Sequence, residues 1–376
     1  MKRARYVFGY NQCMAAKKNS PAVKSLSLPE SGVKTLKQNL EDLDAIFAQA
    51  GLTRHRRGSR KNILAAARKV VYTPEELRPP VDAEFRTGKN GIAWLTVPAW
   101  RDLDWLWHGF TTRKGGVSTA YAPEHAAPEL NLGFTADDTK ENVIENRRRI
   151  VGAITGSRAN ELRLIRQFHS GLVLYGPDCA GARPMRADGM ITNRPGELLG
   201  VQVADCIPVL VADKRKRIVA AFHAGWRGTV QRIVERGVGR MRLEFGCNPR
   251  DLIAAVGPGI GPCCYAVGEE VLSEFTGQFH YADKLFHEVF NSDPVKTRYP
   301  MLFLTQRAPG HSEIGPGTHL DLQQANRRQL IDAGVRARAI HMIGGCTQCD
   351  RRLFFSHRGA QGRAGRMMGL IGIKSS

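Results

Sequence analysis

The sequence predicts an α+β fold built from sheet layers, and three observations carry that expectation. Residues 198–212 and 218–223 form two apolar runs rich in Val, Ile and Ala, bounded by turn residues and far too short for a membrane span. Such runs read as buried strands. Strands and amphipathic helices then alternate along the chain without a strict β-α-β rhythm, which argues for sheet layers rather than a doubly wound sheet. Finally, 376 residues at 42% hydrophobic content suffice for one large core or two ordinary ones.

The stretch GVQVADCIPVLVADKRKRIVAAFHAGWRG, residues 200–228, is the centre of the reading. Its two apolar runs flank the basic turn 213–217 and predict a buried β-hairpin. With the turn centred between Lys214 and Arg215, Cys206 falls opposite His223. Cross-strand Cβ atoms lie about 5 Å apart, so thiol and imidazole meet on one face. Zn–S and Zn–N bonds of about 2.3 and 2.0 Å suit such a pair. Asp205 and Arg227 flank the pair, and charged side chains are costly to place in apolar runs without a task.

The remaining elements follow in order. Residues 1–19 read as disordered and 33–49 as a helix. Residues 61–72 read as a second short helix, and 74–80 as a proline-rich linker. This basic N-terminal extension, 1–85, precedes a main domain at 86–376. Within that domain, 91–97 alternates like a strand and 106–118 carries a basic Gly115-Gly116 turn. Residues 138–151 open with a helix start signal. Residues 162–175 are strand-like with His169 inside, and 185–193 hold an Asp188-Gly189 turn. Helices are expected at 229–245, 266–275 and 319–333, strands at 252–256 and 337–343. Residues 283–307 resemble an insertion, and 359–372 a glycine-rich tail. The loop GPGIGPCCY after residue 256 fits neither a P-loop nor a dinucleotide fingerprint.

Charge and cysteine usage bound the function. The net charge is +20, and residues 1–90 carry 18 Lys/Arg against 8 Asp/Glu, so the excess is concentrated in the leader. A solvated basic tail is the expectation there; a nucleic-acid partner is not expected, since no recognised module is present. Eight Cys in this length are not a disulfide framework. The adjacent Cys263-Cys264 and the single Cys346-x-x-Cys349 fall short of the two spaced pairs of a zinc ribbon. Reduced thiols and a cytoplasmic location are expected. Neither a transmembrane helix nor a signal peptide is expected.

Nine motifs in order match one family: HGFTTRKGGVS, LNLGF with NVIENRRRI, QFHS, ADGMITN, ADCIPVL, HAGWRG, VGPGIGPCCYAVG, LDLQQAN, and CT with FFSHR and GR. On these, residues 100–373 resemble the YfiH-type purine nucleoside phosphorylase family, whose members are also called laccase-domain proteins, polyphenol oxidases and peptidoglycan editing factors. The resemblance implies a monomeric α/β/β/α sandwich with one zinc held by His169, Cys206 and His223. Two departures stand out: Phe168 where Val is common, and Gln361–Ala364 in place of an acidic stretch.

The activity so implied is phosphorolysis of purine nucleosides (adenosine, inosine, guanosine, methylthioadenosine) to free base and ribose 1-phosphate, with adenosine deamination as a related activity. Arg113, Arg227 and Arg358 are candidate phosphate donors, because guanidinium binds phosphate through two parallel hydrogen bonds. Asn131 is a candidate for ribose or base, and Asp205 for orienting a ligand. Two rivals are a copper-dependent polyphenol oxidase and a Cys206–His223 amidase. The 11 His include no His-x-His pair, which disfavours a multicopper site.

Overall fold

A computed structural model describes residues 70–88, 91–176, 184–290 and 317–375. They belong to one compact unit, Lys69–Ser376. Its strands are β1 (Val71–Tyr72), β2 (Glu84–Thr87), β3 (Ala93–Thr96), β4 (Leu106–Thr111), β5 (Lys114–Ser118), β6 (Glu161–Leu164), β7 (Val173–Tyr175) and β8 (Gly189–Thr192). Then follow β9 (Glu197–Val203), β10 (Ile207–Asp213), β11 (Ile218–Ala224), β12 (Leu252–Val256), β13 (Phe286–Val289), β14 (Gly317–Leu320), β15 (Ile340–Met342) and β16 (Met367–Ile373). The helices are α1 (Lys140–Thr155), α2 (Trp226–Val230), α3 (Ile233–Phe245), α4 (Glu269–Gln278) and α5 (Leu322–Asp332).

Two six-stranded sheets, ordered β15-β12-β10-β11-β8-β7 and β2-β3-β4-β16-β9-β6, carry the architecture, and β1-β13-β14 form a small third sheet. The alternation within strands shows how the two large sheets stack. Val219 and Ala221 of β11 pack with Leu199 and Val201 of β9 and Ile371 of β16, between the sheets. Ala220, Phe222 and Ala224, on the opposite face of β11, pack under Val238 and Met241 of α3 and Leu330 of α5. On the far side, Ile150 and Val151 of α1 meet Trp94, Leu198 and Leu370. The layers therefore run α/β/β/α. Both faces of both sheets are covered, so the strands read as continuous apolar runs instead of alternating ones.

Several expectations change in detail. The run 198–212 is two strands, not one. The chain leaves β9 in one sheet, turns at Ala204-Asp205-Cys206 and enters β10 in the other. In the hairpin, Pro208 pairs with His223 and Asp213 with Ile218, a register two residues from the expected one. The cause is Asp213, whose carboxylate accepts from the amides of Arg215 and Lys216 at 2.9 Å and sets a four-residue turn. An even offset preserves the face of every side chain, so Cys206 still lies on the side of His223, one step along.

The helix expected at 229–245 is broken at Arg232, which has φ of 59° and separates α2 from α3. Residues 162–175 are two strands with His169 on the connection between them. The glycine-rich tail ends in β16, which lies between β4 and β9 near the middle of its sheet. Its glycines admit close neighbours: a Cβ at Gly372 would stand 2.4 Å from the Glu197 carbonyl oxygen.

The boundary expected at 85/86 also moves. β1 pairs with β13, β2 pairs with β3, and the Asp82 amide donates to the Ile343 carbonyl at 2.9 Å. Residues 70–85 are thus stitched into the sheets, including the expected linker. The helix expected at 33–49, most of that at 61–72, and most of the expected insertion at 283–307 lie outside the described residues. Of that insertion, Phe286–Val289 is β13.

His108 in β4 accepts a hydrogen bond from the Val97 amide at Nε2 (3.1 Å) and packs edge-on against Trp100. Burial, with the nearby Arg86 charge, lowers its pKa to about 4. The unfolded chain binds this proton near pH 6.5, so the folded state binds fewer protons between those values. The stability contributed by neutral His108 is full above pH 6.5 and disappears as pH falls through 4. Denaturant titrations at pH 7 and pH 4.5 should differ by at most about 3 kcal/mol from this group. The His108→Gln variant should lose that part of the pH dependence.

Candidate metal centre and active site

The site lies where the chain passes from one sheet to the other. Cys206 follows the corner, and His223 sits near the end of β11 on the face between the sheets. His169 comes from the β6–β7 connection. The Cys206 Sγ stands 3.7 Å from His169 Nε2, and the two imidazole rings meet edge-on with centroids 4.9 Å apart. One donor atom from each of the three residues lies within 4.8 Å of the others. The structure thus brings His169, Cys206 and His223 together. Such a set could hold a metal ion.

What holds them is a residue read from sequence only as a turn. Asp188 is wholly buried. Its carboxylate accepts from the backbone amides of Phe168 (3.2 Å), His169 (3.0 Å) and Ser170 (2.7 Å), and from the Ser170 hydroxyl (2.7 Å). It also receives His223 Nδ1 at 2.8 Å. A carboxylate only accepts, so Nδ1 carries a proton, and Nε2 is the atom that would offer a lone pair to a metal. The amide cradle bends His169 to φ of 64°, a left-handed conformation that costs about 1 kcal/mol outside glycine. Gln231 closes the loop from the other side, accepting from the Gly171 amide at 3.0 Å and donating to the His169 carbonyl at 3.3 Å.

The electrostatics follow from this packing. Burial alone would raise the Asp188 carboxyl; the His223 and Ser170 hydrogen bonds outweigh it and hold it at about 2. Burial would also raise the Cys206 thiol, but the His223 charge and the His169 hydrogen bond hold it down at about 6. Burial works against the His223 imidazolium, yet the Cys206 thiolate and Asp188 lift it to about 9. Both shifts run toward a Cys206 thiolate beside a His223 imidazolium. A divalent cation would take the place of the imidazolium proton on Nε2.

Gly225 shows how tightly the centre is packed. A Cβ there would lie 2.7 Å from His169 Cδ2 and 3.0 Å from Cys206 Sγ. Tyr265 is a second residue that sequence reading passed over. Its hydroxyl is influenced by Cys206, Arg358, Asp205 and Arg227, and burial keeps it protonated far above the usual phenol range. Arg227 and Arg358, both expected at the site, are exposed there. Arg227 lies over the Trp226 ring at 4.3 Å, and Arg358 donates to the Ala266 carbonyl at 3.0 Å.

Three other expected residues serve the fold. Arg113 forks onto Glu129, with Nε 2.6 Å from Oε1 and one Nη 2.7 Å from Oε2, while the other donates to the Arg351 carbonyl. Its fork is occupied, so it has no free edge for phosphate. Asn131 is fully buried and donates to the Gly133 carbonyl (3.0 Å) and Asp138 (2.7 Å) while accepting from the amides of Gly133 and Arg366. No capacity remains for ribose. Asp205 stands at the corner with φ of 90° and accepts from Thr347 Oγ1 and the Arg358 amide, both at 2.6 Å. It pins loops around the site instead of presenting an oxygen to a ligand.

The class defined so far is a four-layer α/β/β/α sandwich with a His₂Cys cluster at the junction of its sheets. A family model described as multi-copper polyphenol oxidoreductase laccase matches residues 107–374. The chain is 36% identical over 271 residues to a purine nucleoside phosphorylase of Deinococcus radiodurans, covering 71% of this chain and 88% of that one. It is 30% identical over 283 residues to the purine nucleoside phosphorylase YlmD of Bacillus subtilis, covering 71% and 88%. The crystal structure of YlmD from Geobacillus stearothermophilus superposes with a TM-score of 0.61 at 28% identity, over 78% of this chain and all of that one. The chain belongs to the YfiH/YlmD laccase-domain family.

Two substitutions and one control test the geometry. Asp188→Ala should weaken metal binding about 10- to 100-fold, measured by competition with a chelating dye. Gly225→Ala should lower metal occupancy through its clash. Gly239→Ala, on α3 with open space around its Cβ, should leave occupancy unchanged and stabilise the helix by about 0.5–1 kcal/mol.

Proposed function

We propose that this chain is a zinc-dependent purine nucleoside phosphorylase acting on adenosine, inosine, guanosine or methylthioadenosine. The observation that carries the proposal is the convergence of His169, Cys206 and His223, with Asp188 behind them and two exposed guanidinium groups close by. Three protein donors, rather than four, suit a catalytic zinc. The printed names of the relatives, purine nucleoside phosphorylases, supply the substrate class.

Bound zinc would supply positive charge and Lewis acidity beside the reacting groups. The chain's own residues do the rest. Arg227 and Arg358 hold hydrogen phosphate, whose oxygen attacks C1′ as the bond to the purine nitrogen breaks; the phosphate proton ends on the departing base. The products are ribose 1-phosphate and the base. Tyr265, kept protonated by burial, donates a hydrogen bond to a substrate oxygen. Asp188 fixes the His223 tautomer throughout. Asp205 keeps the Arg358 backbone in place through its 2.6 Å contact.

Adenosine deamination at the same centre, and action as a cytoplasmic monomer, belong to this proposal. Among the described residues no helix is long and apolar enough to cross a membrane. The donor set also admits copper, the alternative behind a phenol oxidase. A Cys206 nucleophile in an amidase would need the thiolate that metal binding occupies.

Incubation with inosine or adenosine, with and without phosphate, and chromatography of the products tests the reading. Hypoxanthine or adenine should appear with ribose 1-phosphate only when phosphate is present. Inosine formed from adenosine without phosphate would mark the deaminase activity. Phosphate-independent base release, or phenol oxidation by copper-loaded enzyme alone, would overturn the main proposal. Arg227→Ala and Arg358→Ala should each lower kcat/KM for phosphate about 10- to 100-fold, the weight of a charged hydrogen bond. Arg113→Ala should instead lower stability.

A further inference from the structure

Four cysteines take no part in the chemistry above. Cys263 and Cys264 lie on the loop after β12, and Cys346 and Cys349 on the loop after β15. Their separation in sequence, more than eighty residues, hid the relation between the pairs. In the fold the two loops run side by side. Gly259 bridges to Cys346, the Thr347 amide donates to the Gly259 carbonyl at 2.9 Å, and the Gly261 amide donates to the Cys346 sulfur at 3.3 Å. The Cys349 Sγ then lies 3.6 Å from that of Cys263 and 3.4 Å from that of Cys264. All four sulfurs fall within 4.8 Å of one another.

These spacings have a chemical meaning. Four thiolates around one zinc at about 2.3 Å form a tetrahedron with S···S edges of about 3.8 Å. A disulfide needs about 2.05 Å, and all four residues are free thiols here. The arrangement suits one ion and not a lone redox pair. Cys263 and Cys346 are buried and Cys264 half-buried, while Cys349 is exposed. The buried sulfurs are shielded from solvent oxidants, and the Gly261 amide supplies the hydrogen bond that a coordinated thiolate accepts.

We propose that Cys263, Cys264, Cys346 and Cys349 form a second, structural metal site that binds a single zinc ion through four sulfurs. Four protein ligands close the coordination shell, so this ion does no catalysis. Its role is to lock the wall of the first centre. Thr347, between the ligands Cys346 and Cys349, donates to Asp205 at 2.6 Å. The Ile260 amide, three residues before Cys263, donates to the Asp205 carbonyl at 2.8 Å. Tyr265 directly follows Cys264. Clamping the two loops therefore fixes both Asp205 and Tyr265. The inference is independent of the nucleoside chemistry, because it concerns only the thiols.

The test is metal analysis of the full chain purified under reducing conditions without chelator. Two zinc equivalents per chain are expected. Cys346→Ser/Cys349→Ser should retain one, and His169→Ala/Cys206→Ser should retain the other one. Should the double serine variant fail to fold, Cys349→Ser alone provides the check, since its side chain is exposed. Cobalt exchanged into His169→Ala/Cys206→Ser should show the strong sulfur-to-cobalt charge-transfer absorption of a four-thiolate site, and Cys349→Ser should diminish it. A single equivalent in the wild-type chain that is unaffected by Cys346→Ser/Cys349→Ser would overturn the proposal. So would a Cys264–Cys349 disulfide found by peptide mass analysis of freshly purified protein.

Discussion

The Asp188 carboxylate is the constraint on which the centre depends. A buried carboxylate is tolerable only when its lone pairs are satisfied. Here they are met by three successive amides, one hydroxyl and one imidazole. Those partners belong to two different segments, the β6–β7 connection and β11. Satisfying one charge therefore fixes the loop that carries His169 relative to the strand that carries His223. The strained His169 backbone is held by the same bonds.

A second constraint lies at the corner where the chain changes sheets. Asp205 takes a positive φ there and ties down the loops at 258–262, 346–347 and 357–358. Neighbouring residues thus divide the labour. Cys206 faces the other two donors, while Asp205 turns its carboxylate to the loops that surround them. Gly259 fits against this corner because a Cβ would stand 2.8 Å from the Asp205 carbonyl oxygen.

The basic and polar residues show why residue type alone misleads. Arg113, Arg227 and Arg358 are alike in sequence as candidate phosphate donors. The fold buries the Arg113 fork on Glu129 beneath Phe355, and leaves Arg227 and Arg358 exposed near Tyr265. Asn131 likewise spends its whole hydrogen-bonding capacity on Gly133, Asp138 and Arg366. Burial decides between support and contact, and burial is set by neighbours far away in sequence.

The sequence by itself determined the layered α+β class, the buried hairpin, the nearness of Cys206 and His223 on one face, and the family. Those features rest on local apolar pattern, strand parity and ordered motifs. The two-residue error in register replaced Cys206 by Pro208 opposite His223, yet both donors stayed on one face, because strand faces repeat every second residue. Tertiary structure alone decided the break at Ala204–Cys206, the placing of residues 70–85 and β16 within sheets, the role of Asp188, and the meeting of Cys263-Cys264 with Cys346 and Cys349. Each of these depends on contacts between segments distant along the chain, which no local periodicity encodes.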